Sequence, residues 1–69
     1  MQITKKIAIL GTGNIGSALA RGLEKTGQFK KKNIYLTRRS IEKLAAFEKE
    51  GFQINSDNRF AVQKSDIII

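Results

Sequence analysis

Three glycines spaced as G-x-G-x-x-G are the residues in this sequence best suited to chemistry, since that spacing is typical of turns that bind dinucleotides. They directly follow a short apolar run, and a helical pattern follows them without a gap. The first glycine permits a tight bend, the second lets the backbone approach a pyrophosphate, and the third lets a helix pack closely on a strand. The free amides of the first helical turn would face the phosphates. The predicted binding residues are Gly11, Thr12, Gly13, Asn14, Ile15 and Gly16.

A second set of candidate binding residues lies about 20 residues beyond the glycines, where this class of site distinguishes its nucleotide. An acidic residue there would bind the ribose hydroxyls of NAD, but the sequence has Thr37, Arg38, Arg39 and Ser40. Guanidinium groups and hydroxyls suit the 2′-phosphate of NADP. The sequence therefore predicts NADP (NADPH), with NAD as the alternative. Arg38 and Ser40 are favoured over Arg39, because neighbouring residues leaving a strand point to opposite sides.

The elements that must position these residues alternate as β-α-β-α-β-α-β, which indicates an α/β fold with a parallel sheet. In a Rossmann-type half-domain the strand order is 3-2-1-4, and the cofactor lies where the order reverses. The predicted strands are Ile7–Leu10, Ile34–Thr37, Phe52–Ile54 and Ile67–Ile69. The predicted helices are Asn14–Thr26, one that begins after the N-cap Ser40 and ends at Gly51, and one from the cap Asp57 to about Gln63.

Apolar spacing also predicts which helical residues are buried. In the first helix, Ile15, Leu19, Gly22 and Leu23 fall on one face. In the third helix, Phe60, Ala61 and Val62 are expected on the buried side. The basic stretch from Gln28 to Asn33 is expected to be a solvated connection.

Composition limits the classes of function. The chain has 69 residues, a formal charge of +7, no cysteine and no histidine. Disulfides and zinc sites built on Cys or His are therefore excluded. The basic clusters have no interleaved aromatic residues, which argues against nucleic-acid binding. The sequence has neither a membrane-spanning apolar run nor a secretory signal, so the expected location is the cytoplasm.

The last predicted strand has three residues, and its ladder would be incomplete. We therefore expect residues 1–69 to be part of an N-terminal dinucleotide-binding domain that is truncated in the fourth strand. No catalytic residue is assigned.

Three segments together resemble the N-terminal region of pyrroline-5-carboxylate reductase: IAILGTGNIGSALARGL, NIYLTRRSIEKLAAF and SDNRFAVQKSDIII. The resemblance implies reduction of 1-pyrroline-5-carboxylate to L-proline with NAD(P)H, in proline biosynthesis. It also implies that Asn58 lies on the adenosine side of the cofactor. A C-terminal helical domain, absent from this sequence, would complete the pocket for the small-molecule substrate and form a homo-oligomer.

Two alternatives remain open from the sequence. One is another NADP-dependent oxidoreductase, such as a reductase that passes hydride to a deazaflavin or a β-hydroxyacid-type dehydrogenase. The other is a non-catalytic nucleotide-binding domain. The 69-residue chain alone is expected to lack reductase activity.

Overall fold

Four parallel strands form the sheet that the sequence predicts, and helices connect them. The structure is a computed structural model that describes residues 5–27 and 29–69. The strand order β3-β2-β1-β4 confirms the predicted Rossmann-type topology. The strands are β1 (Ile7–Ile9), β2 (Ile34–Thr37), β3 (Gln53–Asn55) and β4 (Ile67–Ile68); the α-helices are α1 (Asn14–Lys25), α2 (Ala45–Glu50) and α3 (Asn58–Lys64).

The two central strands, β1 and β2, are buried on both faces, as continuous apolar runs in a parallel sheet should be. Ile7 pairs with Ile34, and Ala8 pairs with Tyr35. On one face lies a core with Ala20 of α1 and Phe47 of α2; on the other, Ala61 of α3 packs against Ala8 and Tyr35. Strand β4 pairs with β1 at the edge and is exposed.

The inward face of helix α1 overlaps only partly with the predicted one: Leu23 packs against the core as predicted, whereas Gly22 is exposed. Ile15 is 88% exposed and Leu19 is 36% exposed, so their predicted burial is wrong. The inward positions are Gly16, Ala20 and Leu23, which are spaced as a helix face requires. The small residues Gly16 and Ala20 let α1 approach the sheet closely, and the larger side chains of Ile15 and Leu19 lie on the exposed side.

Other element boundaries differ from the predictions by small amounts. The second helix begins as a 3₁₀ turn at Ile41–Leu44 before α2, and Ser40 precedes that turn without a capping bond from its side chain. Phe60 and Val62 of α3 are exposed, and Ala61 alone of that predicted trio is buried. In the predicted solvated connection, Gln28 lies outside the described residues.

The rest of that connection is more ordered than predicted. Phe29 is buried in the same core cluster as Ala20 and Phe47, and Lys31–Asn33 forms a 3₁₀ turn that leads into β2. The predicted helix ends are confirmed, because Gly27 and Gly51 follow α1 and α2 with positive φ angles. Within the described ranges, no helix combines the length and the apolar character needed to cross a bilayer.

Candidate nucleotide-binding site

The turn between β1 and α1 is fixed by hydrogen bonds to the end of β2. Gly11 has φ +63°, a left-handed conformation that glycine adopts without strain. Its amide donates to Oγ1 of Thr37 at 3.1 Å. The amide of Thr12 donates to the carbonyl oxygen of Thr37 at 2.6 Å. The predicted tight bend at Gly11 is therefore confirmed, and one residue of β2 holds it.

Thr12 and Thr37 lie beneath the turn, and both side chains are fully buried. The Thr12 hydroxyl donates to the carbonyl oxygen of Ile9 at 2.8 Å. The Thr37 hydroxyl accepts from Gly11 and donates to Oδ1 of Asn58. Both hydroxyls are thus committed to bonds within the chain, so the Thr37 hydroxyl, predicted to help bind a 2′-phosphate, instead bonds groups of the protein itself. The sequence feature that could have indicated the buried hydroxyl of Thr37 is its position at the end of the buried strand β2.

The N-terminus of α1 is open to a ligand. Its N-cap is Gly13, which has no side chain to donate or accept, and its first turn contains no acidic residue. The first bond inside the helix runs from the amide of Ser17 to the carbonyl of Gly13 at 2.8 Å. The amides before Ser17 have no partner within the helix, and the helix dipole is positive there. This arrangement suits an anion such as a pyrophosphate.

Gly13 and Gly16 differ in what surrounds them. A Cβ built on Gly13 would meet no atom within 4 Å, so the space above its backbone is open. A Cβ on Gly16 would lie 3.3 Å from Cγ2 of Ile9 and 3.4 Å from Cγ2 of Thr12. The packing role predicted for Gly16 is confirmed. At Gly13 the structure has room for an outside group to approach the backbone.

The two arginines after β2 have different environments. Arg38 is half-buried, and its Nη1 donates to the carbonyl oxygen of Thr12 at 3.3 Å. Arg39 is exposed, which agrees with the prediction that the neighbours point to opposite sides. Ser40 is half-buried. The guanidinium of Arg38 therefore lies beside the glycine turn.

The start of α3 brings further polar groups to the same edge of the sheet. The Asp57 carboxylate caps the helix by accepting from the Arg59 amide at 2.9 Å, as predicted for a cap. The guanidinium of Arg59 donates to the same carboxylate at 3.3 and 3.2 Å. These bonds hold the pKa of Asp57 below its ordinary range, and they raise the pKa of Arg59.

One hydrogen-bonded network therefore joins five of the eleven predicted binding residues: Gly11, Thr12, Thr37, Arg38 and Asn58. Gly13, Asn14, Ile15 and Gly16 follow in the same turn and in the first turn of α1. Arg39 and Ser40 lie next to Arg38 in sequence.

Comparisons with known proteins agree with this geometry. The model of the family described as "NADP oxidoreductase coenzyme F420-dependent" matches residues 6–69. The chain is 50% identical over 66 residues to pyrroline-5-carboxylate reductase 2 of Dictyostelium discoideum, and 38% identical over 63 residues to pyrroline-5-carboxylate reductase 1 of that organism. These alignments cover 94% and 91% of this chain but only 22% and 11% of the relatives. The chain thus spans less than a quarter of their length.

Solved structures show the same likeness. A pyrroline-5-carboxylate reductase from Coxiella burnetii superposes with a TM-score of 0.85 and 30% identity, covering 96% of this chain and 24% of that one. An imine reductase from a Pseudomonas species gives a TM-score of 0.76 and 29% identity, covering 96% and 22%. These matches confirm the resemblance to the N-terminal region of pyrroline-5-carboxylate reductases and the Rossmann-type fold.

Proposed function

Since the chain belongs to the family of coenzyme F420-dependent NADP oxidoreductases, we propose that it is the NADPH-binding part of a reductase that converts 1-pyrroline-5-carboxylate to L-proline. The observation that carries the proposal is the sequence identity with pyrroline-5-carboxylate reductase 2, which extends over nearly the whole chain. The substrate and the reaction come from the names of the relatives. The residues described above supply the nucleotide site.

The site fits a dinucleotide phosphate in two respects. The open space at Gly13 admits the pyrophosphate to the backbone, and the uncapped first turn of α1 offers amide donors. Arg38 is held at the turn by its bond to Thr12, with Arg39 and Ser40 beside it in sequence. We assign the pyrophosphate to residues 11–16 and the 2′-phosphate to residues 38–40.

The bound NADPH would supply the hydride, and this chain's residues would bind and orient it. The amides of α1 neutralise the pyrophosphate charge, and Asn58 contacts the adenosine. Arginine forks match phosphate oxygens, and each charge-assisted bond contributes about 1.5–3 kcal/mol. The absence of an acidic residue at 37–40 leaves nothing there to repel a 2′-phosphate.

The remaining parts of the proposal come from the resemblance. They are a small-molecule substrate, a homo-oligomer formed through a C-terminal helical domain, and a cytoplasmic location. A reductase that transfers hydride to a deazaflavin is the second candidate, because the description of the matching family names coenzyme F420.

The experiment is a comparison of hydride acceptors with the intact protein. We expect NADPH oxidation, followed by its absorbance, to depend on 1-pyrroline-5-carboxylate and to be slower with NADH at equal concentration. The deazaflavin coenzyme should give no oxidation. Deazaflavin reduction without activity on the pyrroline would favour the second candidate, and nucleotide binding without turnover of either would favour a non-catalytic domain.

A further inference from the structure

Thr37 combines complete burial with a hydroxyl that joins two parts of the nucleotide site. It lies at the end of β2, and its side chain has no exposed surface. Its Oγ1 accepts the amide proton of Gly11 at 3.1 Å and donates to Oδ1 of Asn58. Its carbonyl oxygen accepts from the amide of Thr12. The side chain therefore lies under the ligand site.

The direction of these bonds sets the orientation of the Asn58 amide. The amide of Gly11 can only donate, so Oγ1 is the acceptor in that bond. The single hydroxyl proton is then free for Asn58, and leaving it unpaired in a buried position would be costly. Oδ1 of Asn58 consequently points at Thr37. Its Nδ2, with two N–H donors, is left for other partners.

We propose that Thr37 is a positioning residue that presents Asn58 to the bound nucleotide as a hydrogen-bond donor. The inference rests on the proposed function, because it concerns the nucleotide site assigned there. A donor at Asn58 selects an acceptor on the ligand, such as a phosphate, ribose or adenine atom that carries a lone pair. The same hydroxyl bonds both Asn58 and the amide of Gly11, so one side chain connects the start of α3 to the glycine turn.

The first experiment is a double-mutant cycle on NADPH affinity, measured by calorimetry on the intact protein. Thr37→Val removes the hydroxyl and nearly preserves the volume, and Thr37→Ser restores the hydroxyl. We expect Thr37→Val to weaken binding by about five- to tenfold, as expected for the loss of one or two hydrogen bonds. Thr37→Ser should bind within about twofold of wild type.

Coupling to Asn58 separates positioning from a general structural role. If Thr37 acts through Asn58, Thr37→Val should cost much less affinity in an Asn58→Ala background than in the wild type. A role in folding alone predicts equal losses in both backgrounds, and that outcome would overturn the proposal. Melting temperatures of all variants provide the control for folding.

A separate variant tests whether Asn58 acts as a hydrogen-bond donor. Asn58→Asp keeps an acceptor for the Thr37 hydroxyl but has no N–H donor. Measured in high salt, where charge repulsion is screened, it should still bind NADPH about tenfold more weakly than wild type. Affinity equal to wild type in high salt would overturn the donor role. Because Asn58 is exposed, this variant tests the donor role even if Thr37→Val does not fold, and Thr37→Ser still tests whether the hydroxyl suffices for wild-type affinity.

Nucleotide binding by the wild-type protein distinguishes failure of the proposed function from failure of the positioning role. A wild-type protein that binds neither NADPH nor NADH would overturn the nucleotide site itself. A wild-type protein that binds NADPH, with unchanged affinity in Thr37→Val, would overturn only the positioning role.

Discussion

Helices α1 and α3 begin at the same edge of the sheet, but their first turns are satisfied in opposite ways. Helix α3 has a capping carboxylate, Asp57, which accepts from the amide of Arg59. The amide of Asp57 in turn donates to Oδ1 of Asn55 at 2.7 Å. Helix α1 begins at Gly13, with no side-chain cap and no acidic residue in its first turn.

This difference between the two helix N-termini predicts where an anion would bind at this edge of the sheet. The protein supplies a negative group to α3, whereas the positive end of α1 has neither a side-chain cap nor an acidic residue in its first turn. The arginines near the two helix N-termini differ in the same way. Arg59 is paired with Asp57, whereas in the described part of the chain Arg38 bonds a carbonyl oxygen and forms no ion pair. We therefore expect one phosphate-binding helix terminus here, that of α1.

The largest expected effect comes from closing the open space at α1. Gly13→Val places a branched side chain where the pyrophosphate would approach the backbone. We expect binding of both NADPH and NADH to fall below detection in calorimetry. The fold should survive, because a Cβ at Gly13 meets no atom within 4 Å. Undiminished affinity in a folded variant would remove the cofactor site from this turn.

The next effect concerns the cations beside α1. If residues 38–40 bind the 2′-phosphate, Arg38→Ala combined with Arg39→Ala should erase most of the preference for NADPH over NADH. One or two charge-assisted bonds correspond to a preference of about ten- to a thousandfold, which should narrow in high salt. NADH affinity is the control and should hardly change. Equal affinities of the wild type for both cofactors would contradict this assignment.

A smaller effect is expected on stability from the close contact of α1 with β1. Gly16→Ala adds a methyl group 3.3 Å from Ile9 Cγ2; overpacking costs about 1–3 kcal/mol and the better helix propensity of Ala offsets about 0.5–1 kcal/mol, so the free energy of unfolding should fall by up to about 2 kcal/mol. Gly22→Ala is the matched control in the same helix. Its Cβ meets nothing within 4 Å, and it should raise stability by about 0.5–1 kcal/mol. Denaturant unfolding of the intact variants measures both, and equal effects would contradict the close packing.

The smallest effect is expected at α3. Asp57→Ala removes the cap and should lower the melting temperature by a few degrees, with little change in nucleotide affinity. Because the folded pKa of Asp57 lies below its ordinary value of 3.8, its stabilisation is present above that value. It is lost as the pH falls through the folded pKa. The difference between variant and wild type should therefore shrink below about pH 3.8, and a difference that persists would exclude the carboxylate as its source.

The sequence predicts correctly those features that depend on the spacing of glycines or on the alternation of strands and helices. The structure confirms the turn at Gly11 and the close packing at Gly16, because the backbone at these two positions needs a residue without a side chain. It also confirms the strand order, which follows from the alternation of strands and helices. The cap at Asp57 is also confirmed.

The features that sequence missed depend on tertiary contacts. Hydrophobic periodicity assigned Ile15 and Leu19 to the buried face of α1, but a helix this close to a sheet buries Gly16 and Ala20 instead. Burial of Phe29 within a basic stretch requires the core that β2 and α2 provide. The nucleotide-binding assignments of residues 11–16, residues 37–40 and Asn58 stay predictions.

The pairing of Asp57 with Arg59 also bears on how the protein would respond to acidity. Their pKa values are displaced in opposite directions, away from neutrality. The chain has no histidine or cysteine, the side chains that ordinarily titrate near neutral pH. The field that its side chains exert on a bound nucleotide should stay constant between about pH 6 and pH 9. Within that interval these 69 residues contribute no side chain that ordinarily titrates, so protonation of the 2′-phosphate of the nucleotide is expected to change NADPH affinity and to leave NADH affinity unchanged.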